Sequence, residues 1–229
     1  MTNILLGIPS PFDFVLPTKY RSLLPCDKII PKYYREDRAY KIIRDYFLEH
    51  IEYTYLAVAC SDIWITPKDI QYLYEDAKHG YPVFGGIMNI SLEQIDVYNV
   101  TVNYVDERHP KFIWYTKQTL PKKDVFPVGF SGFPLLCLAR EIVNKFDFEP
   151  MSLYSNKPDL YPGSLDRVLC YKLNKARITI LADKRINLLH LKEIHTQSQE
   201  VLVGIEKSMT EFWKYDASTN ISYKTELTK

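Results

Sequence analysis

The sequence predicts a mixed, mostly parallel α/β sheet flanked by helices, and three observations carry that expectation. Continuous apolar runs at residues 3–8, 55–60 and 81–90 have the length and composition of strands buried on both faces. Segments with helical spacing separate them, one of which carries both start and stop signals. Strands and helices alternating in this order imply parallel pairing through right-handed crossovers.

The elements follow in order. Asn3 to Ile8 reads as a first strand, closed by Pro9-Ser10-Pro11. Residues 12–34 read as irregular, because Pro17, Pro25 and Pro31 each oppose a long helix. From Arg35 to His50, the residues Ala39, Ile42, Ile43, Tyr46 and Phe47 recur at helical spacing. Tyr55 to Cys60 is the next strand. Thr66-Pro67-Lys68-Asp69 then supplies an N-cap threonine, a proline at the first helical position and an acid three residues after the cap. The helix it opens should run to about Lys78 and stop before Gly80 and Pro82. Tyr81 to Ile90 is a strand containing Gly85-Gly86, a pair that lets a ligand or a second backbone come close. Residues 97–116 alternate as two antiparallel strands around a turn at 106–110. Phe130 to Leu138 is apolar and leads into a short helix from Arg140 to Phe146. A second capped helix runs from Leu165 to Asn174, entered by Gly163-Ser164, and strands follow at 177–182 and 186–191. Val201, Leu202, Ile205, Met209, Phe212 and Trp213 predict an amphipathic helix, so 193–229 reads as a helical extension packed on the same domain, with a frayed end.

Composition narrows the function. At 229 residues the chain can bury one core without disulfide or metal staples. Lys plus Arg number 29 and Asp plus Glu 28, a balance with no electrostatic footprint for nucleic acid. Cys26, Cys60, Cys137 and Cys170 lack CxxC spacing, which argues against a zinc site and for free thiols in a reducing compartment. Eighteen tyrosines can stack on sugars or bases, and can equally be packing. The N-terminus opens into Ile4-Leu5-Leu6 without a basic leader, and no apolar run approaches the roughly 18 residues of a membrane span. A cytoplasmic location is expected, the host cytoplasm if the chain is viral.

Open α/β sheets bind ligands outside the carboxyl ends of their strands. Asp62 lies just past such an end and could hold Mg²⁺ or Mn²⁺, or could simply close a turn. Asp166 opens a helix, where the dipole alone favours an acid. His190 sits among leucines and could be a satisfied core residue or a ligand. Asp13 could cap a loop after two prolines.

Three ordered blocks go further. The segment Thr54-Tyr-Leu-Ala-Val-Ala-Cys-Ser-Asp62-Ile-Trp-Ile-Thr-Pro67-Lys-Asp69 resembles the metal-site segment of GT-A-fold glycosyltransferases, particularly the short bacteriophage and archaeal-virus members. Val128-Gly-Phe-Ser-Gly132-Phe leading to Arg140-Glu-Ile-Val resembles their Gly-x-Gly-Phe segment and helix start. Leu165-Asp166-Arg-Val-Leu-Cys170, the strand ending at Asp183, and His190 resemble their Glu-Asp-x-x-Phe-Cys helix, following strand and terminal histidine. With the opening Ile4-Leu-Leu-Gly-Ile-Pro-Ser10, the resemblance covers roughly residues 3–192.

The resemblance implies a GT-A-like nucleotide-diphospho-sugar transferase fold over residues 1–192. It also implies a metal-dependent, inverting transfer from a nucleoside-diphosphate sugar to a hydroxyl of a glycan or protein acceptor, with Mn²⁺ or Mg²⁺ as cofactor. Donor binding would fall to Pro9, Asp13, Cys60, Ser61, Asp62, Gly85 and Gly86, and the acceptor side to Gly129, Gly132 and Phe133. Asp62 and His190 would hold the metal, and Asp166 would take the acceptor's proton. Two departures stand out: Cys60 replaces the first acid of Asp-x-Asp, and Leu165 replaces the glutamate before Asp166. They motivate a second expectation, a binding or assembly protein of the same fold without turnover.

Overall fold

The structure is a computed structural model that describes residues 2–10, 23–90, 96–104, 111–148, 165–191 and 209–226. Its strands are β1 (Ile4–Gly7), β2 (Asp27–Lys32), β3 (Tyr55–Val58), β4 (Ile63–Trp64), β5 (Val83–Met88), β6 (Val97–Thr101), β7 (Trp114–Thr116), β8 (Val125–Val128), β9 (Phe130–Ser131), β10 (Leu136–Ala139), β11 (Ile180–His190), β12 (Met209–Asp216) and β13 (Ile221–Thr225). Its described helices are α1 (Glu36–Glu49), α2 (Pro67–Lys78), α3 (Arg140–Lys145) and α4 (Leu165–Lys175).

Ten strands form one sheet in the order β13-β12-β2-β1-β3-β10-β5-β11-β4, with β8 also pairing β11. β1 runs parallel to β2 and β3, and β5 parallel to β11. β10 lies antiparallel between β3 and β5, so the strand that follows α2 is not the direct neighbour of the one before it. Five core strands (β2, β1, β3, β5 and β11) therefore point the same way, and their carboxyl ends share one edge. This is the α/β, GT-A-like class that the sequence predicts. Strands β7, β6 and β9 form a second, three-stranded sheet.

Alternation along each strand sends side chains to two cores. Leu5, Ile29, Leu56 and Val58 meet Ile43 and Phe47 of α1 and Leu165, Leu169 and Leu173 of α4 on one face. Leu6, Ile30, Ala57 and Phe84 meet Ile70 and Leu73 of α2 on the other. Burying each large aliphatic or aromatic side chain contributes about 1.5–3 kcal/mol, so the two layers fix the helices on the sheet. The predicted capping box is present, with Thr66 Oγ1 accepting from Asp69 N–H and Asp69 Oδ2 accepting from Thr66 N–H at 2.8 Å. At the C-terminus of α1, Arg140 donates to the carbonyls of Phe47 (2.7 Å) and His50 (2.6 Å), a cation seated on a helix end.

Three expectations need correction. Residues 27–32 form a strand in the sheet despite Pro31, whose carbonyl accepts Ser10 N–H at 2.8 Å. The two strands expected over 177–191 are one irregular strand, with its register shift between Asp183 and Asn187. Met209, Phe212 and Trp213 lie in a strand rather than a helix: β12 pairs antiparallel with β2 and with β13. Polar contacts pin this hairpin, since buried Glu211 receives Lys32 at 2.9 Å and Ser222 Oγ accepts buried Lys28 Nζ at 2.6 Å. Residues 201–208 and the turn at 106–110 lie outside the described residues. Among the described residues no helix is long and apolar enough to cross a membrane.

Between α2 and β11 two buried acids share one arginine. Arg185 donates to Asp183 (2.7 Å), Asp76 (3.3 Å) and Glu75 (3.0 Å), and its guanidinium stacks on Tyr72. Burial, then the neighbouring Asp183, push the Asp76 carboxyl up to about 7. A carboxyl raised in the folded state keeps a proton that the unfolded chain releases near its ordinary pKa, so the stability it confers is lost as pH rises through the folded value. Asp76→Asn should therefore lose less stability than the parent between about pH 4 and about pH 7, by about 1–2 kcal/mol in urea unfolding. Parallel pH profiles for the two proteins would contradict this account of the pair.

Candidate active site

The shared carboxyl edge gathers the ends of β1, β3, β5 and β11. After β3 the backbone keeps its ladder, with Ala59 N–H bonded to Gly7 O (3.0 Å) and Cys60 N–H to Phe133 O (3.0 Å). A turn then carries Ser61 and Asp62, and β4 pairs antiparallel with the end of β11, placing Ile63 opposite His190. Leu191 N–H donates to Asp62 O at 2.7 Å, closing this corner.

His190 Nε2 lies 3.1 Å from Asp62 Oδ2, and its Nδ1 lies 3.3 Å from Ile90 O. Both facing atoms are acceptors, and a neutral imidazole has only one N–H to offer. With Asp62 ionised, no neutral tautomer satisfies both contacts, and the pair then calls for a positive charge: a second proton on the ring or a bound metal ion. Asp62 offers the carboxylate oxygen that hard divalent ions take and His190 a borderline nitrogen, a mixed pair that would hold a divalent ion. Among the described residues no group of three or more metal-binding side chains occurs. Mg²⁺-type sites commonly take one or two carboxylates, with phosphates and water completing the shell.

Asp166 opens α4, its Oδ1 accepting Arg167 N–H at 2.7 Å and its Oδ2 lying beside Gly132. Glu36, in the first turn of α1, is raised by burial and then by Asp166, Asp37 and Asp62. Three carboxylates from three elements therefore feel one another. Cys60 sits among them: burial first, then Asp62, Asp166 and Glu36, push its thiol far up, so it stays uncharged. Tyr40, fully buried, turns its ring onto Phe133 at 5.2 Å and its hydroxyl towards Cys60.

The sequence-derived residues divide accordingly. Asp62, His190 and Asp166 meet at the edge with Cys60, Ser61 and Gly132. Pro9 is buried just past β1, and Phe133 forms the floor through Tyr40 and Phe148. Gly85, Gly86 and Gly129 serve close packing. A Cβ would stand 2.5 Å from Leu135 O at Gly85, 2.6 Å from Ile186 Cγ2 at Gly86, and 1.9 Å from Asn103 C at Gly129, so protein atoms fill the space where ligand was expected. Asp13 lies outside the described residues. Sequence reasoning missed Glu36 and Tyr40. Glu36 looked like any first-turn acid, whereas Tyr40 stands three residues before Ile43 and seven before Phe47 on the buried helical face, a spacing that could have found it.

No family model matches the sequence, and no curated protein matches it. Among solved structures, A197 from STIV is similar at 16% identity over 94% of this chain and 86% of its own, with a TM-score of 0.51. That likeness shows the fold. A Bacillus anthracis protein described as a glucose-1-phosphate thymidylyltransferase, solved with a sucrose, covers 89% of this chain at 10% identity with a TM-score of 0.36. Nothing is taken from so loose a superposition.

The packing role of Gly85 has a direct consequence. Gly85→Ala should cost about 1–3 kcal/mol in chemical denaturation, because the new methyl meets a backbone oxygen that cannot move aside cheaply. A variant as stable as the parent would return Gly85 to the list of ligand-facing residues.

Proposed function

We propose that the chain is a nucleotide-sugar glycosyltransferase, and the observation that carries this reading is the Asp62–His190 pair, a carboxylate oxygen and an imidazole nitrogen held 3.1 Å apart at the edge where α/β sheets bind ligands. Asp62 and His190 would hold Mn²⁺ or Mg²⁺ and through it the donor diphosphate. When bound, the ion would neutralise charge developing on the departing diphosphate. Asp166 accepts the proton from an acceptor hydroxyl as that oxygen bonds to the anomeric carbon and the diphosphate leaves with the electron pair of the broken bond. Attack opposite the leaving group inverts the anomeric centre. Phe133 and Tyr40 hold the floor, and Ser61 and Pro9 border the donor side.

Glu36 bears on the missing first acid. Position 60 carries an uncharged thiol, while α1 delivers a carboxylate to the same cleft. We assign to Glu36 the donor-side role that Cys60 cannot play. The same thiol favours the second reading, a nucleotide-binding or assembly protein without turnover, in which binding is weak and indifferent to metal.

Titration of the purified chain with UDP, GDP, ADP and dTDP separates the two. For a transferase, Mn²⁺ should tighten at least one of them by about tenfold, equivalent to about 1.4 kcal/mol, and Asp62→Ala should abolish that gain. In a donor-hydrolysis assay Asp166→Asn should slow turnover by about 10²- to 10⁴-fold while leaving nucleotide affinity intact. Metal-independent binding that ignores Asp62→Ala would rule the transferase reading out.

A further inference from the structure

We infer that Arg185 is a positioning residue for the Asp62–His190 pair: its guanidinium, clamped between Asp183 and α2, holds the bulge in β11 that brings His190, and not Asn187, to the edge of the site. What the pair binds rests on the transferase reading above; the clamp and its effect on His190 do not.

β11 runs parallel to β5 and keeps one register only as far as Asp183, which stands opposite Gly86. The next pair is Asn187 with Ile87, so Lys184, Arg185 and Ile186 have no counterparts on β5. In unbroken pairing Arg185 would lie opposite Met88, and Asn187 would arrive where His190 now meets Ile90 O. With the bulge, Leu188 lies opposite Met88, and Leu189 and His190 pair with Trp64 and Ile63 of β4. Leu191 N–H then closes on Asp62 O at 2.7 Å. A one-residue shift along a partner strand exchanges the faces of every side chain, so the shape of the bulge decides whether the imidazole faces Asp62.

The polar contacts of the bulge converge on Arg185. Its main-chain N–H donates to Asp183 Oδ1 at 2.9 Å, and its Nε and Nη2 donate to Asp183 Oδ2 at 2.9 and 2.7 Å. These bonds fold the bulge back on its own first residue. Nη1 reaches Glu75 Oε2 at 3.0 Å and Nη2 reaches Asp76 Oδ1 at 3.3 Å, while the guanidinium stacks on Tyr72, which ties the bulge to α2. Asp183 is fully buried, so a carboxylate there has to be met by donors. Only a planar fork of several N–H groups meets Asp183 and both α2 acids at once; a lysine is a single point of charge. Beyond the bulge the end of β11 has little else to hold it, since β4 offers only Ile63 and Trp64 for pairing. Arg185 therefore acts on the site through main-chain register, without touching it.

The test reads the metal-free, ¹⁵N-labelled full chain by cross-strand NOEs between Ile63 and His190 and by hydrogen exchange at Leu191 N–H. Arg185→Met removes the fork and keeps the aliphatic stem, Arg185→Lys keeps a charge without the fork, and Asp76→Asn leaves the Asp183 contacts in place. In Arg185→Met the Ile63–His190 NOEs should weaken, and Leu191 should exchange about tenfold faster relative to the amides of β1 and β3. Arg185→Lys should do the same, and Asp76→Asn should match the parent in both readouts. In a second arm, Arg185→Met should lose the tightening of UDP by Mn²⁺ while keeping its metal-free affinity. Unchanged NOEs and Leu191 exchange in Arg185→Met, or protection lost at Leu191 only in step with β1 and β3, would make Arg185 a stability residue alone and overturn the inference. Recovery of both readouts in Arg185→Lys would overturn it as well, and this variant decides alone should Arg185→Met fail to fold. A parent that binds no nucleotide with metal, alongside a loosened His190 corner in Arg185→Met, would remove the transferase reading and leave the clamp standing.

Discussion

The arrangement turns on one imidazole that, facing an ionised Asp62, cannot satisfy its two neighbours while neutral. His190 faces Ile90 O on one side and Asp62 Oδ2 on the other, and its place is set by main-chain pairing between β4 and β11 rather than by the side chain's own choice. A fold that holds two acceptors against one neutral ring stores a demand for positive charge. Because β1, β3, β5 and β11 run in one direction, that demand appears where their carboxyl ends meet. Asp166 and Glu36 reach the same place from helix N-termini in separate parts of the chain.

Two acidic groupings in this molecule are handled in opposite ways. Asp76 and Asp183 are both buried, and Arg185 with a retained proton settles them inside the fold. Glu36, Asp62 and Asp166 lie at an open edge, with Asp62 and Asp166 raising Glu36, and an uncharged thiol among them at Cys60. An aspartate at position 60 would add a fourth carboxylate to that cleft. With Glu36 already present, a neutral residue there limits the repulsion, which gives the departure at Cys60 a physical reason within this chain.

Much of this was legible in the sequence because the signals were local. The capping box at Thr66–Asp69, the apolar runs of β1, β3 and β5, and the amphipathic stripe of α1 depend on neighbours a few residues away. What escaped depends on distant partners. β2 contains Pro31, which reads as a breaker, yet both its edges are paired, to β1 and to β12. Met209, Phe212 and Trp213 have helical spacing, but an available sheet edge and the buried Lys32–Glu211 contact drew the segment into a strand. At the site, Asp62, Asp166 and His190 could be named from motif order. Gly85, Gly86 and Gly129 gave no local sign of their packing role, because only the neighbouring chain decides what stands beside a glycine.

Pulsed EPR of Mn²⁺ bound to the full chain together with UDP reads the central claim directly. The account predicts ¹⁴N coupling from an imidazole alongside ³¹P coupling from the diphosphate, with the nitrogen signal lost in His190→Gln and the metal lost in Asp62→Ala. Phosphorus coupling without nitrogen, or bound Mn²⁺ that is insensitive to both substitutions, would show that the His190–Asp62 pair answers its missing charge with a proton and holds no metal.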